Sequence, residues 1–137
     1  NLNELKNLER TGIDISEFAI SEAKKRYPKI NFLTGNILDL DFKKSFDIIF
    51  TSGVIEHINP KLLPGAFEKM YELSNKYILN HEAYDNTEHE INWHRGKNEF
   101  WTINMAQRWK NFPVKIIENK PGPNPEYWVT LVEKINN

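Results

Sequence analysis

The sequence predicts an α/β fold built on a doubly wound, mostly parallel sheet that closes with an antiparallel pair of strands at the carboxyl end. Three observations carry this expectation. Up to Asn80, short apolar runs alternate with helically patterned segments, the rhythm of strand, crossover helix and parallel strand. Phe46-Asp47-Ile48-Ile49-Phe50-Thr51 is a continuous apolar run of the kind that parallel sheets bury on both faces. The chain then ends as strand, tight connection and strand around Pro121-Gly122-Pro123, and consecutive strands joined so closely must run antiparallel.

Taken in order, Leu2, Leu5 and Leu8 form one stripe at helical spacing, so Asn1 to Glu9 reads as the end of a helix. Thr11 to Ile15 is a short strand, and Ser16 followed by Glu17 is an N-cap opening a helix that runs to Tyr27 and stops at Pro28. Lys29 to Leu33 is a second strand, Gly35-Asn36 a turn, and Phe46 to Thr51 a third strand. Leu62 to Leu73 is helical and Lys76 to Asn80 a strand. Glu82 to Lys97 is polar, aromatic and aperiodic, longer than most connections of an α/β unit and for that reason a candidate functional loop. Glu99 to Trp109 reads as a helix, and Val114 to Glu118 and Tyr127 to Glu133 as the closing strands.

With 137 residues, 39% of them hydrophobic, the chain supports one core, and a single domain over residues 1–137 is expected. Its 18 basic and 19 acidic residues nearly cancel without long like-charge runs, which argues against a nucleic-acid partner. The absence of cysteine removes disulfides, thiolate metal sites and a thiol nucleophile. No stretch is apolar for the roughly 20 residues a membrane span needs, and no signal peptide stands at Asn1. A soluble, cytoplasmic protein is the expectation, with no oligomeric state implied.

An acid at the carboxyl end of a strand, just before a helix, is placed to accept hydrogen bonds from both hydroxyls of a nucleoside ribose. Asp14 holds that position; the alternative is that Asp14 and Ser16 only cap the helix. Asn36, after the next strand, is either a reader of an adenine edge or part of an ordinary Gly-Asn turn. Thr51-Ser52-Gly53 puts small residues where a doubly wound sheet opens its crevice. His57, between Ile55 and Ile58, reads as a partly buried residue bonded to backbone rather than a base. Glu56, His57, His81 and His89 offer no closed ligand set, and no metal is expected. Trp101, Trp109 and Trp128 read as core, and Trp93 as a loop residue that could stack on a ligand.

Gly12-Ile13-Asp14-Ile15-Ser16, Gly35-Asn36, Phe46-Asp47-Ile48-Ile49 and Val54-Ile55-Glu56-His57-Ile58 follow the order and spacing of class I S-adenosylmethionine-dependent methyltransferases, which the chain resembles. Ser52 to Ile55, His57-Ile58-Asn59-Pro60, Leu63-Pro64 and Ser74 to Leu79 are similar to methylases associated with pseudaminic acid biosynthesis in bacteria. So are Glu82, Tyr84, Asn86, Glu90-Ile91 and Arg95-Gly96. The resemblance implies a Rossmann-like sheet and S-adenosylmethionine as cofactor. Asp14 would hold the ribose, Ile15 the adenine face, Asn36 and Ile37 the adenine edge, and Thr51, Ser52 and Gly53 the floor near the methionine part. Where the wider superfamily has aspartate, Asn36 would accept through its amide carbonyl.

Methyl transfer is an in-line displacement that needs a base only when the acceptor must lose a proton. Glu82, Tyr84, His94 and Arg95 are the catalytic candidates, Arg95 being suited to a carboxylate or phosphate on a small-molecule acceptor. The implied acceptor is small and polar, a sugar or sugar-derived metabolite, with methylation at oxygen, nitrogen or carbon all open. The other function class is a catalytically silent domain serving as an interaction module; a nucleotide-binding dehydrogenase shares the acidic strand end but not the Glu56-His57 segment. In the family, a first strand and glycine loop precede the residues that Asn1 to Glu9 resemble, and that strand lies between those ending at Asp14 and Thr51. The chain is therefore expected to be N-terminally incomplete and to associate or unfold readily through two unpaired ladders. A cooperative, monomeric thermal transition is the result that would contradict it.

Overall fold

The computed structural model describes residues 8–92 and 96–135. Two compact units, 1–41 and 42–137, divide the chain. The expected helix at Asn1 to Glu9 falls mostly outside the described residues, as do Trp93, His94 and Arg95.

The smaller unit is a strand, a helix and a parallel strand. Strand β1 (Thr11–Asp14) leads into helix α1 (Glu17–Arg26), which returns the chain to β2 (Asn31–Thr34). The strands pair in parallel, Thr11 opposite Asn31 through Asp14 opposite Thr34. Ser16 caps α1 by accepting the Ala19 amide proton at 3.2 Å. Glu17 in the first turn and Lys24, Lys25 and Arg26 in the last complement the helix dipole. Gly12 is where Phe32 of the neighbouring strand crosses β1: a β-carbon there would stand 2.6 Å from the Phe32 ring.

The larger unit is a four-stranded sheet in the order β3-β4-β6-β5, formed by β3 (Phe46–Ser52), β4 (Ser74–Ala83), β5 (Val114–Pro121) and β6 (Tyr127–Lys134). Strands β3 and β4 are parallel, whereas β6 runs antiparallel to both β4 and β5. The expected parallel units closed by an antiparallel pair are thus present; among the described residues β1 pairs with β2 and β3 with β4, in two sheets.

Helix α2 (Leu63–Leu73) buries Leu63, Ala66, Phe67 and Met70, spaced three, four and seven residues from its start. Phe67 meets Trp109 of α3 (Met105–Trp109) with ring centroids 4.7 Å apart, so both helices pack on one face of the sheet. That face carries Thr51, Ile78, Asn80, Thr130 and Val132, all buried.

Three expectations are corrected here. The run Phe46 to Thr51 is a strand but is not buried on both faces: Ile48 and Phe50 remain 49% and 52% exposed. Within the unit, α2 and α3 cover only the side of Ile49 and Thr51, and β3 is an edge of its sheet. The helix expected from Glu99 to Trp109 shrinks to its last turn. The amide protons of Trp101, Thr102 and Ile103 go instead to the carbonyls of Glu56, His89 and Ala83, at 2.9, 2.9 and 2.8 Å. Tertiary partners have taken the donors that a helix would have used internally. Strand β4 also extends past its expected ends, so Glu82 belongs to a strand and not to the loop.

Candidate functional site

In the smaller unit the carboxyl ends of β1 and β2 stand side by side, and the Gly35 amide proton bonds the Asp14 carbonyl at 2.9 Å. Asp14 is exposed, and its Oδ1 accepts the Ser16 amide proton at 2.8 Å. The capping role is therefore real, but a carboxylate has about four acceptor positions, and one amide uses only one. Ile15 next to it is 74% exposed, an apolar side chain presented at the strand end. Asn36 accepts the Leu38 amide proton at 3.0 Å and so caps a short 3₁₀ turn, Ile37–Asp39. Its carbonyl keeps a second lone pair and its amide two donors. Both alternatives read from the sequence, cap and ligand contact, are compatible at each position.

In the larger unit Thr51, Ser52 and Gly53 end β3 in different settings. Thr51 is buried, and its hydroxyl accepts from Asn80 Nδ2 at 2.7 Å; Asn80 Oδ1 accepts in turn from the Trp109 indole at 2.8 Å. Thr51 thus faces the helices and braces the strand end from behind. Ser52 is exposed, with Oγ 3.1 Å from His81 Nδ1. Gly53 has φ +63°, in the left-handed region that non-glycine residues reach at a cost. A β-carbon there would come no closer than 3.6 Å to Glu56 Oε1, so the cost is conformational rather than steric. We expect Gly53→Ala to destabilise the larger unit by about 1–2 kcal/mol; an unchanged denaturant midpoint would count against this turn geometry.

Behind the turn lie two carboxylates with crossed attachments. Glu82 Oε2 accepts the amide protons of Val54 and Ile55 at 2.9 and 3.1 Å. Glu56, in the 3₁₀ turn Ile55–His57, returns the contact: its Oε2 accepts the Ala83 amide proton at 2.6 Å. The Tyr127 hydroxyl donates to Glu56 Oε1 at 3.3 Å. Burial raises the Glu82 carboxyl to about 7, against the Thr51 hydroxyl, which favours the ionised form, and with the Glu56 charge adding to the rise. Burial and then Glu56 raise the Tyr127 hydroxyl as well. Glu82 is 1% exposed, so from this position its carboxylate reaches the turn and not solvent.

Tyr84 stands just past β4, its ring stacked on Trp128 with centroids 3.9 Å apart and its hydroxyl donating to Asn86 at 2.6 Å. Half-buried, the pair forms an aromatic wall at the strand ends. Glu88 anchors the following loop: it accepts the Asn104 amide proton at 3.1 Å and Arg108 Nε at 3.0 Å. His57 Nδ1 lies 2.8 Å from the Glu99 carbonyl, the backbone bond expected of it, and its Nε2 lies 3.6 Å from Glu56 Oε1. Trp101 and Trp109 are core residues, and Trp128 is the half-buried wall. The described residues include no cluster of three or more metal-ligating side chains and no helix long and apolar enough to cross a membrane. The sequence reading overlooked the crossed Glu56 and Glu82 carboxylates, the Tyr127 hydroxyl and the Ser52–His81 contact. Alternation along β4 would have put Asn80 and Glu82 on one face and His81 on the other, had the strand's true length been read.

Comparison with known proteins adds to this geometry. The sequence profile of a family described as a methyltransferase domain matches residues 1–76, more than half of the chain. No curated protein sequence matches it. Among solved structures it is similar to the 1,6-didemethyltoxoflavin-N1-methyltransferase of Burkholderia thailandensis, which holds its namesake compound and S-adenosylhomocysteine. The TM-score is 0.73 at 16% identity, over 92% of this chain and 61% of that one. Magnesium protoporphyrin IX methyltransferase of Synechocystis, with bound S-adenosylhomocysteine, gives 0.72 at 13%, over 91% and 64%. The glycopeptide N-methyltransferase MtfA, also with S-adenosylhomocysteine, gives 0.76 at 12%, over 98% and 76%. The chain thus spans less than two thirds of the first two, and at these identities the likeness is one of fold.

Proposed function

The chain belongs to the methyltransferase-domain family, and we propose that the protein moves the methyl group of S-adenosylmethionine to a small polar acceptor, a sugar or sugar-derived metabolite. The observation that carries this reading is the corner of the smaller unit. There an exposed carboxylate, Asp14, ends one parallel strand beside Gly35-Asn36 at the end of the next, within the part of the chain that matches the family.

The residues fit the adenosine part of the donor. Asp14, with one acceptor position used by Ser16, has room for both ribose hydroxyls. Ile15 offers an exposed apolar side chain to the adenine ring, Asn36 a second carbonyl lone pair to the adenine amino group, and Ile37 follows along the same edge. In the larger unit, Ser52 and Gly53 are small enough to admit the methionine part, while Thr51 supports them from behind. The donor supplies a sulfonium-bound methyl group: an acceptor lone pair bonds to carbon as the carbon–sulfur bond breaks, leaving a neutral thioether. What remains for the chain is to orient the acceptor, exclude water and take any acceptor proton. Tyr84 and His94 are proposed to face the acceptor, and Arg95 to hold an anionic group on it. Glu82, enclosed as it is, is proposed to act through the turn.

The similar structures support a small acceptor, since the names of two specify 1,6-didemethyltoxoflavin and magnesium protoporphyrin IX. The resemblance of Ser52 to Ile55, His57 to Pro60, and Glu82, Tyr84, Asn86, Glu90-Ile91 and Arg95-Gly96 to pseudaminic acid-associated methylases is the support for the sugar. The test is to incubate the protein with methyl-labelled S-adenosylmethionine and a panel of free and nucleotide-activated sugars. Label on a sugar, with equivalent S-adenosylhomocysteine formed, is the expected outcome. Absence of both label and donor binding would remove the enzyme reading and favour an interaction module.

A further inference from the structure

We infer that Glu82 is a positioning residue: by holding the amide protons of the turn that leaves β3, it sets the placement of Ser52 and Gly53, the residues proposed above to face the methionine part of the donor. The inference rests on that reading of the turn.

The geometry is a two-way clamp. From the end of β4, Glu82 reaches Val54 and Ile55, and from the turn Glu56 reaches back to Ala83, the residue after Glu82. The Gly53 amide proton bonds the His81 carbonyl at 3.1 Å, so the β3–β4 ladder runs directly into the clamp. A third segment joins where Trp101 and Ile103 donate to the carbonyls of Glu56 and Ala83. Every backbone unit from Gly53 to Ile55 is therefore tied, directly or through one carboxylate, to the end of β4.

Two features set this carboxylate apart from an ordinary buried brace. Successive amides converging on one oxygen form a concave anion-binding arrangement, and such bonds strengthen when the acceptor is charged. Glu82 Oε1, by contrast, is buried without a hydrogen-bond partner, a cost to the fold that is larger for the ionised form than for the neutral one. Its protonation state accordingly matters to the turn: the ionised form holds the amides tightly and the neutral form loosely. Glu56 in the turn and Thr51 on β3 bear on that state directly and Tyr127 on β6 couples to it; His57 stands beside Glu56, and His81 lies on the opposite face of β4.

The test follows the amide resonances of Val54 and Ile55 in the full chain from about pH 6 to about pH 8, alongside titration with S-adenosylhomocysteine. Wild type and Glu82→Gln are compared. In wild type both amides should shift together with a midpoint near the carboxyl's value of about 7, and affinity should rise several-fold across that range. In Glu82→Gln, which keeps an acceptor oxygen and the side-chain shape, the amides and the affinity should both be flat with pH, the affinity staying at the wild type's low-pH level. Wild-type amides that do not titrate, or a Gln variant that keeps the wild-type affinity profile, would overturn the inference while leaving the methyl-donor reading intact. Titrating amides with no donor binding at any pH would instead overturn both.

Discussion

Asp14→Ala should lower affinity for S-adenosylhomocysteine by roughly 100-fold or more, because two charge-assisted hydrogen bonds to the ribose are lost together and each is worth about 1.5–3 kcal/mol. The same substitution removes the 2.8 Å bond from the Ser16 amide to Asp14 Oδ1. That loss sits at an exposed helix start and should cost stability only about 0.5–1 kcal/mol. The two roles are thus separable by magnitude. If Asp14 were only a cap, the alanine variant would lose a little stability and no affinity. Asp14→Asn sharpens the comparison, because an amide oxygen can still accept from Ser16 but cannot take two ribose hydroxyls with a full charge; its affinity should lie between wild type and alanine. Isothermal titration gives the affinities and denaturant midpoints the stabilities. Unchanged affinity in the alanine variant would withdraw Asp14 from the donor site.

The second large effect concerns stability against pH. The Glu82 carboxyl is raised in the folded protein from 4.5 to about 7, so the folded state binds the proton more tightly than the unfolded chain. The contribution is fully present below the unfolded value and is lost as pH rises through about 7. The whole loss is on the order of 3 kcal/mol. The quantity to measure is the difference between Glu82→Gln and wild type, which isolates the Glu82 proton. That difference should be small near pH 5 and grow in favour of the glutamine variant to a plateau on the order of 3 kcal/mol above the folded-state value. A difference independent of pH would show that Glu82 does not carry the proton. Together with the amide titration, this predicts a variant that is more stable at alkaline pH yet binds donor less well.

Much of this architecture was legible in the residues alone. Thr11 to Asp14, Glu17 to Arg26 and Leu63 to Leu73 are local structures: an N-cap, a proline stop and apolar spacing determine them within a few residues, and the observed bounds follow. The parallel-then-antiparallel order was legible for the same reason, since a crossover helix permits parallel neighbours and the short Pro121 to Pro123 connection does not. The exposed carboxylate of Asp14 at the end of β1 was readable too, because an acid at a strand end before a helix is a local pattern.

What tertiary structure alone decided lies where a backbone donor or a carboxylate had more than one partner available. Glu99 to Asn104 carries a helical apolar pattern, yet its amides bond three distant carbonyls, and no local signal discloses those partners. Ile48 and Phe50 are as apolar as any buried strand residue, but their exposure depends on which face α2 and α3 cover. Glu82 read as a loop acid free to meet an acceptor; the extension of β4 enclosed it and turned it toward the amides of Val54 and Ile55. Spacing along the chain determines which side chains share a face, because helix and strand periods are local. Which charges end up buried, and against what, is set by contacts between segments far apart in sequence, and the Glu56–Glu82 clamp exists only once β3, β4 and β6 have assembled.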